Sequence, residues 1–411
     1  MSRPLNGIKV LEMDCFVASP CVCRLLADLG AEVIKIEKPT GDSWRDGSIA
    51  YNRNVFNNDA NPIYDIYNAG KKHIVLDLKN PEGKKVFFKL LGECDVFVTN
   101  TRLAAMKRLG LSYDDLKEDY PHIVYAMVEG FGEKGEDANT AAYDNTAYWA
   151  RCGMLRDLAM IDKDGSYNPI YSPSSVGDTT TAYLLLAEIT TALLQRHTTG
   201  KGQLVKAGLF HTGIFTFGSM QICSQRPFGR KYPKKVYEHG HYTGSFRCKD
   251  GEYIYIATGV WERTYDAIVK VIGKPELYEE ERFSTPAKTF QNAAEFREIL
   301  EEAFLTKTRE EWIPICKEYD LAVSRLNGFA DISEDPQAIA NGFIEDVKMR
   351  DGKVIKMPSC PLDMESLQGE DMSTHPATVL GHDTDEVLRE FGYSDAEIKA
   401  LYDADVITPK A

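Results

Sequence analysis

The first third of the chain alternates short apolar runs with amphipathic segments. The segments at 20–29 and 81–91 carry apolar residues at helical spacing, and Gly30 and Pro81 are typical of a helix end and a helix start. The apolar runs are rich in Val and Ile and predict strands, which lie at 8–13, 32–37, 73–78, 95–98 and 123–128. This alternation predicts an α/β fold with an open, Rossmann-like parallel sheet and helices on both of its faces.

The rest of the chain changes this pattern. Residues 178–197 are apolar nearly all round, which predicts a central, buried helix, and a strand is predicted at 203–209. A basic, Pro-containing stretch at 227–235 indicates a linker, and Asp250-Gly251 indicates a β-hairpin turn beyond it. We predict a large α/β domain, a smaller α+β domain and a segment that returns to the large domain, at 1–225, 226–330 and 331–411.

Composition narrows the classes of function. With 411 residues, 43% of them hydrophobic and 27% charged, the chain has the proportions of a globular protein. Lys plus Arg is 48 and Asp plus Glu is 62, which gives a net charge of −14, so we expect no binding to nucleic acid. No apolar run reaches the ~18 residues of a membrane span, and the first residues contain no apolar signal core. We therefore expect a cytoplasmic protein that does not enter a membrane.

The cysteines and histidines give no sign of a disulfide scaffold or a metal site. Nine cysteines are too few for a disulfide framework in a chain of this length. Cys21 and Cys23 have no second pair of ligands at zinc spacing, and His239 and His241 are the close-spaced pair among eight histidines. We expect no bound metal.

The Gly177-Asp178 pair at the start of the long helix is the main candidate for chemistry. Asp is a preferred helix N-cap, because its carboxylate accepts hydrogen bonds from the first helical amides. Beside a glycine, the same carboxylate can be approached closely by a substrate and can attack an activated acyl group. The pattern of residues leaves both interpretations open.

Basic residues recur at the ends of the predicted strands and in the loops after them, at Lys38, Lys71, Lys72 and Arg108. Ligands of an open α/β sheet bind beyond the carboxyl ends of its strands, so such a set is suited to hold phosphates. Taken individually, a residue of this kind is more often a solvated surface charge.

Motifs along nearly the whole chain resemble those of the class III CoA-transferases of the formyl-CoA/carnitine type. They are collinear and comprise Pro4-Leu5, Gly7-Ile8, Val10-Leu11-Glu12, 27–39, Asn68, Lys71-Lys72, 76–79, Pro81-Glu82-Gly83, 95–98, Asn100, Arg108, Gly110, 130–132, Gly177-Asp178, 199–203 and 381–398.

This resemblance implies a homodimer whose two subunits are interlinked. It implies that Asp178 is the nucleophile and forms an aspartyl–acyl mixed anhydride and then an aspartyl-CoA thioester. Coenzyme A and acyl-CoA are then substrates, with no permanently bound cofactor. The other implied binding residues are Val17, Ala18, Lys38, Lys71, Asn100, Arg108, Tyr143 and Gly240.

The sequence departs from parts of the family in informative ways. Formyl-CoA transferases have Gln where this chain has Val17, which favours a bulkier or less polar acyl group. The α-methylacyl-CoA racemases, the main alternative, have a His base where Tyr143 stands, and a phenol with a pKa near ~10 is a poor base at neutrality. A catalytically inactive CoA-binding protein is a further alternative, which the retained Gly177-Asp178 pair disfavours.

The resemblance is strongest to the transferases of amino-acid fermentation. These pass CoA from an enoyl-CoA to a 2-hydroxy acid with an aromatic or branched side group, and a 2-hydroxyacyl-CoA dehydratase is the implied pathway partner. Substrates of the carnitine, bile-acid or dicarboxylate type stay open.

Overall fold

The computed structural model describes residues 3–46, 61–162, 164–235, 243–257, 259–372 and 374–408. Its strands are β1 (Lys9–Met13), β2 (Glu32–Glu37), β3 (Lys72–Val75), β4 (Val96–Thr99), β5 (Val124–Glu129), β6 (Met160–Ile161), β7 (Leu204–Gly208), β8 (Lys234–Lys235), β9 (Gly244–Arg247), β10 (Tyr253–Ile256), β11 (Val323–Arg325), β12 (Ile344–Lys348) and β13 (Val354–Pro358).

Its α-helices are α1 (Ala18–Asp28), α2 (Pro62–Asn68), α3 (Pro81–Gly92), α4 (Leu103–Leu109), α5 (Tyr113–Leu116), α6 (Met154–Asp157), α7 (Val176–Thr199), α8 (Leu209–Thr216), α9 (Gly218–Ser224), α10 (Trp261–Ile272), α11 (Pro286–Gln291), α12 (Ala293–Phe304), α13 (Arg309–Glu318), α14 (Phe329–Ile332), α15 (Pro336–Ala340), α16 (Thr384–Glu390) and α17 (Asp395–Asp403). A π-helix spans Asp144–Ala150. Within the described ranges, no helix is long and apolar enough to cross a membrane.

The chain divides into two compact units. The larger unit comprises Met1–Cys152, Ser172–Gln221 and Asp335–Ala411, and the smaller unit comprises Gly153–Tyr171 and Ile222–Glu334. Residues 153–171, which the sequence pattern gave no reason to separate from the large domain, belong to the smaller unit because β6 pairs there with β8.

A six-stranded parallel sheet in the order β3-β2-β1-β4-β5-β7 forms the centre of the larger unit. The six strands predicted for this sheet are all present, so the predicted α/β fold with a parallel sheet is confirmed. The order runs outward in both directions from the neighbours β1 and β4. Such a switch point opens a crevice at the carboxyl ends of the strands, where ligands bind in this class of fold.

One hydrophobic core joins the sheet to the helices of the larger unit. It includes Leu11, Ile34 and Phe97 from the strands, together with Val387 and Leu401 from the C-terminal helices α16 and α17. The C-terminal helices therefore pack into the same hydrophobic core as the first strands of the chain.

The smaller unit has a three-stranded antiparallel sheet in the order β11-β10-β9. The predicted hairpin around Asp250-Gly251 is confirmed by the pairing of β9 with β10. Helices α10, α12 and α13 supply a separate core, which includes Phe296 and Trp312.

Helix α7 corrects one prediction. The sequence predicted a helix that is buried nearly all round, but Tyr183, Leu184 and Leu194 on α7 are exposed, Leu194 by 72%. Part of the apolar surface of α7 is therefore left exposed to solvent by the single chain.

Candidate active site

The first turn of α7 holds the Asp178 carboxylate in a place where it does not cap the helix. Ser175 occupies the N-cap position with a φ of 69°, and Asp178 is the third helical residue. The Asp178 side chain is half-buried, and within the described ranges it takes part in no ion pair and accepts no hydrogen bond. The interpretation of Asp178 as a structural N-cap is therefore wrong.

The pKa of Asp178 is raised to about 7. Burial is the larger cause, because it removes water from the ionised form, and the negative charge of Asp144 is the second. A carboxylate with this pKa is about half ionised near neutral pH, and it is more basic than an ordinary aspartate.

Asp144 contacts the backbone directly in front of Asp178. Its Oδ1 accepts a hydrogen bond of 3.0 Å from the amide of Gly177. Burial raises the pKa of Asp144 to about 6, and the hydrogen bonds from Gly177 and Ser175 oppose that rise. Two partly desolvated carboxyl groups thus lie at one helix start, and the charge of Asp144 disfavours ionisation of Asp178.

Gly177 is required by this close approach. A Cβ at this position would lie 2.3 Å from Oδ1 of Asp144 and 2.3 Å from Cγ of Tyr148. The Gly-Asp pair in the sequence therefore reflects packing of the π-helix against α7 as well as access to the carboxylate.

Val17 and Ala18 lie at the start of α1 and are both buried. The first turn of α1 contains no acidic residue, so the positive end of its dipole is not neutralised there. The preceding residue, Phe16, has a φ of 67°, which is uncommon for a large side chain and bends the chain sharply between β1 and α1.

The side chain of Asn100 stabilises this bend through two hydrogen bonds. Its Nδ2 donates to the carbonyl oxygen of Cys15 at 2.6 Å, and its Oδ1 accepts from the amide of Cys15 at 3.3 Å. Asn100 was predicted to contact CoA, and in the structure its side chain holds the loop that precedes Val17.

A cavity of about 310 Å³ lies at the carboxyl ends of β1, β2, β3 and β4. Of the residues predicted to bind CoA, Lys38 lines this cavity, and Lys79 is a second lysine in its wall. Arg108 is exposed in the last turn of α4, next to the lining residue Leu109.

Lys71 lies in a different environment from Lys38. Its ammonium group is buried and donates to Oε1 of Glu12, the carbonyl oxygen of Pro20 and Oδ1 of Asn68, at 2.9, 2.9 and 3.1 Å. All three acceptors belong to the protein, which indicates a structural role for this lysine. Tyr143 is 57% exposed, and Gly240 lies outside the described residues.

A second buried lysine organises the same region. Lys35, in the middle of β2, binds Glu12 and Asp14 at 2.7 Å each and Asp42 at 3.4 Å. Burial opposes its charge, but the three carboxylates raise its pKa well above the usual value. Glu12, Asp14 and Cys23 are also close enough to share a metal ion, and the Lys35 ammonium bound to both carboxylates already supplies a positive charge there.

Sequence reasoning missed Asp144, Phe16, Asp42 and the role of Lys35. A lysine inside an apolar strand was a signal for Lys35, because an unpaired buried charge is too costly to be retained. Asp144 and Phe16 gave no comparable signal, since their roles depend on contacts with Gly177 and with other loops that are distant in the chain.

Comparisons with known proteins agree with one another. A model of the family described as CoA-transferase family III matches residues 5–384. The chain is 32% identical to (R)-2-hydroxy-4-methylpentanoate CoA-transferase of Clostridioides difficile over 408 residues, covering 98% of this chain and 99% of that protein. It is 33% identical to cinnamoyl-CoA:phenyllactate CoA-transferase of Clostridium sporogenes over 409 residues, covering 98% of each.

A solved structure gives the same result for the fold. A CAIB/BAIF family protein from Brucella suis superimposes with a TM-score of 0.79 at 25% identity, covering 95% of this chain and 100% of that chain.

Proposed function

Since the chain belongs to CoA-transferase family III, we propose that it moves CoA from an enoyl-CoA to a 2-hydroxy acid through covalent intermediates on Asp178. The observation that carries this proposal is the half-buried Asp178 carboxylate at the start of α7, whose pKa is raised to about 7. A carboxylate of raised basicity is a better nucleophile toward a thioester carbonyl, and enough of it is ionised at neutral pH to react.

The proposed first half-reaction leaves CoA on the enzyme. An oxygen of Asp178 attacks the thioester carbonyl carbon, the new C–O bond forms, and the C–S bond breaks to release CoA thiolate. The thiolate then attacks the side-chain carbonyl carbon of Asp178, which releases the donor acid and leaves an aspartyl-CoA thioester. At every stage one carboxyl group is activated, first as the donor thioester and then as the aspartyl anhydride and the aspartyl thioester, so no ATP is consumed.

The second half-reaction reverses these steps with the acceptor. Its carboxylate attacks the aspartyl thioester, which gives a second mixed anhydride and frees CoA thiolate. Attack of the thiolate on the acyl carbonyl of the acceptor forms the product thioester and restores the Asp178 carboxylate. Negative charge develops on a carbonyl oxygen in each step, and we assign its stabilisation to the amides of Val17 and Ala18 at the unneutralised start of α1.

The binding of CoA is assigned to the crevice at the carboxyl ends of the sheet. Lys38 in the cavity wall and Arg108 on α4 would attract the phosphates of the nucleotide. Lys71 and Asn100 support this site from within, through their bonds to Glu12 and Cys15.

The acid is assigned from the relatives. The two that are 32% and 33% identical are named for 2-hydroxy-4-methylpentanoate and phenyllactate, which are 2-hydroxy acids with a branched and an aromatic side group. The apolar, buried Val17, which we assign to the reaction centre, is consistent with such side groups. A cytoplasmic 2-hydroxyacyl-CoA dehydratase would consume the product.

We assign a homodimer to the working enzyme. Leu194 on α7 and Phe215 on α8 are 72% and 86% exposed, and apolar surface of this kind is typical of an interface. A second copy of the chain would cover it, as in the interlinked dimers that the family resemblance implies.

Trapping the intermediate tests the mechanism. The enzyme would be mixed with cinnamoyl-CoA and phenyllactate, quenched with hydroxylamine, digested and analysed by mass spectrometry. We expect a hydroxamate on the peptide that carries Asp178, and a loss of CoA exchange of roughly a thousandfold or more in Asp178→Asn. Glu188→Gln is the matched control, because Glu188 lies on the same helix and burial also raises its pKa. An unmodified Asp178 peptide together with an active Asp178→Asn variant would refute the mechanism.

A further inference from the structure

Three aromatic side chains from separate parts of the larger unit form one cluster. The ring of Phe16 lies 5.6 Å from the ring of Tyr143 in an edge-to-face arrangement and 6.0 Å from the ring of Trp44. Phe16 follows β1, Trp44 follows β2, and Tyr143 immediately precedes the π-helix. The packing of these rings is therefore decided by tertiary structure.

The cluster is joined to the proposed nucleophile through the backbone. Tyr143 is followed by Asp144, whose carboxylate binds the amide of Gly177, the residue before Asp178. On its other side, Phe16 is followed by Val17 at the start of α1. The aromatic surface thus has chain connections to both groups that are assigned to the reacting carbonyl.

One carboxylate places two of the rings together. Oδ1 of Asp42 accepts hydrogen bonds from the amide of Phe16 at 3.3 Å and from the amide of Trp44 at 2.9 Å. Asp42 is in turn held by the Lys35 ammonium at 3.4 Å. The buried charges therefore fix the relative positions of Phe16 and Trp44.

Phe16 holds this position although its backbone conformation is unfavourable for a large side chain. A φ of 67° is unfavourable for a residue with a large side chain, and glycine or asparagine would adopt it more readily. Such strain is concentrated at functional sites, where the surrounding structure holds the residue in place.

We propose that Phe16 and Trp44, together with Tyr143, form the wall that receives the apolar side group of the transferred acid and thereby set the selectivity of the enzyme. The rings select acids with an aromatic or branched side group over small ones, because such groups bury apolar surface against them. This inference rests on the proposed function and assigns residues to its acid-binding pocket.

The proposed aromatic wall is tested by comparing the specificity constants of the enzyme for two acceptor acids. The value of kcat/KM is measured for 3-phenyllactate and for lactate as acceptors, with one acyl-CoA donor, so that each value reports the half-reaction of the acceptor. Phe16→Gly and Phe16→Asn both remove the ring and both tolerate a positive φ, while Trp44→Leu removes the indole. We expect each variant to lower the phenyllactate-to-lactate ratio by roughly tenfold or more, with little change for lactate.

Tyr319→Ala, in the smaller unit, is the control and should keep the wild-type ratio. Thermal unfolding of every variant checks that the fold is retained. An unchanged ratio in folded, active variants overturns the aromatic wall, and so does an equal loss for both acids, which would indicate a purely structural loop. If the wild-type enzyme transfers CoA to neither acid, the proposed function itself fails, and this inference fails with it.

Discussion

Replacement of Asp178 by asparagine should make the protein more stable at alkaline pH while it abolishes turnover. Asparagine has nearly the same shape as aspartate but carries no charge. The pKa of Asp178 is raised from 3.8 to about 7, first by burial and then by the charge of Asp144. The folded state therefore binds a proton more tightly than the unfolded state, and stability falls as pH rises from 3.8 to about 7.

The size of the effect follows from that shift. A rise of about three pKa units corresponds to about 4 kcal/mol, at 1.36 kcal/mol per unit. Because the side chain is partly exposed and water screens its charge, we expect about 2–4 kcal/mol at pH 8. At pH 4 the difference should fall below about 1 kcal/mol, since the carboxyl is then largely protonated in the folded state and half protonated in the unfolded one.

Thermal unfolding across a pH series measures this difference. With an unfolding entropy of about 2 cal/mol/K per residue, the variant should melt a few °C higher than the wild type at pH 8 and nearly equally at pH 4. Asp395→Asn is a suitable control, because Asp395 lies in the first turn of α17 and its side chain is exposed and paired with Arg389. That change should be neutral or slightly destabilising.

The result that would refute the reasoning is an Asp178→Asn variant that gains nothing at pH 8, or that gains equally at both pH values. Either outcome would mean that burial does not disfavour the charge of this carboxylate. A gain in stability together with a loss of activity would indicate that the enzyme maintains a destabilising charge for its chemistry.

Two further changes test the surroundings of the site. Gly177→Ala should lower both turnover and the melting temperature, because the new Cβ would lie 2.3 Å from Oδ1 of Asp144, whereas Gly218→Ala has no atom within 4 Å and should be tolerated. Equal melting temperatures for the two alanine variants would contradict this account. Lys35→Met should destabilise the fold by about 3–5 kcal/mol in denaturation experiments, because the buried carboxylates of Asp14 and Asp42 lose their ion pair with Lys35 while Glu12 keeps Lys71. The exposed Lys85→Met should change stability by less than about 1 kcal/mol, and a similar small effect for Lys35 would show that its network adds little.

The sequence by itself determined the framework of this protein. Runs of Val and Ile separated by amphipathic segments specify parallel strands and their helices, because a strand that is buried on both faces must be apolar along its length. The same local patterns placed Gly177-Asp178 at the beginning of a long helix and Lys38 after a strand. Collinear motifs over nearly the whole chain were enough to identify the family.

Tertiary structure alone decided what those residues contact. Lys38 and Lys71 look alike in sequence, yet one lines a cavity and the other is bound internally to Glu12. Asp178 could have been a cap until the position of Ser175 excluded it. The contacts that raise a pKa or assemble an aromatic cluster join residues far apart in the chain, and local periodicity carries no information about such contacts.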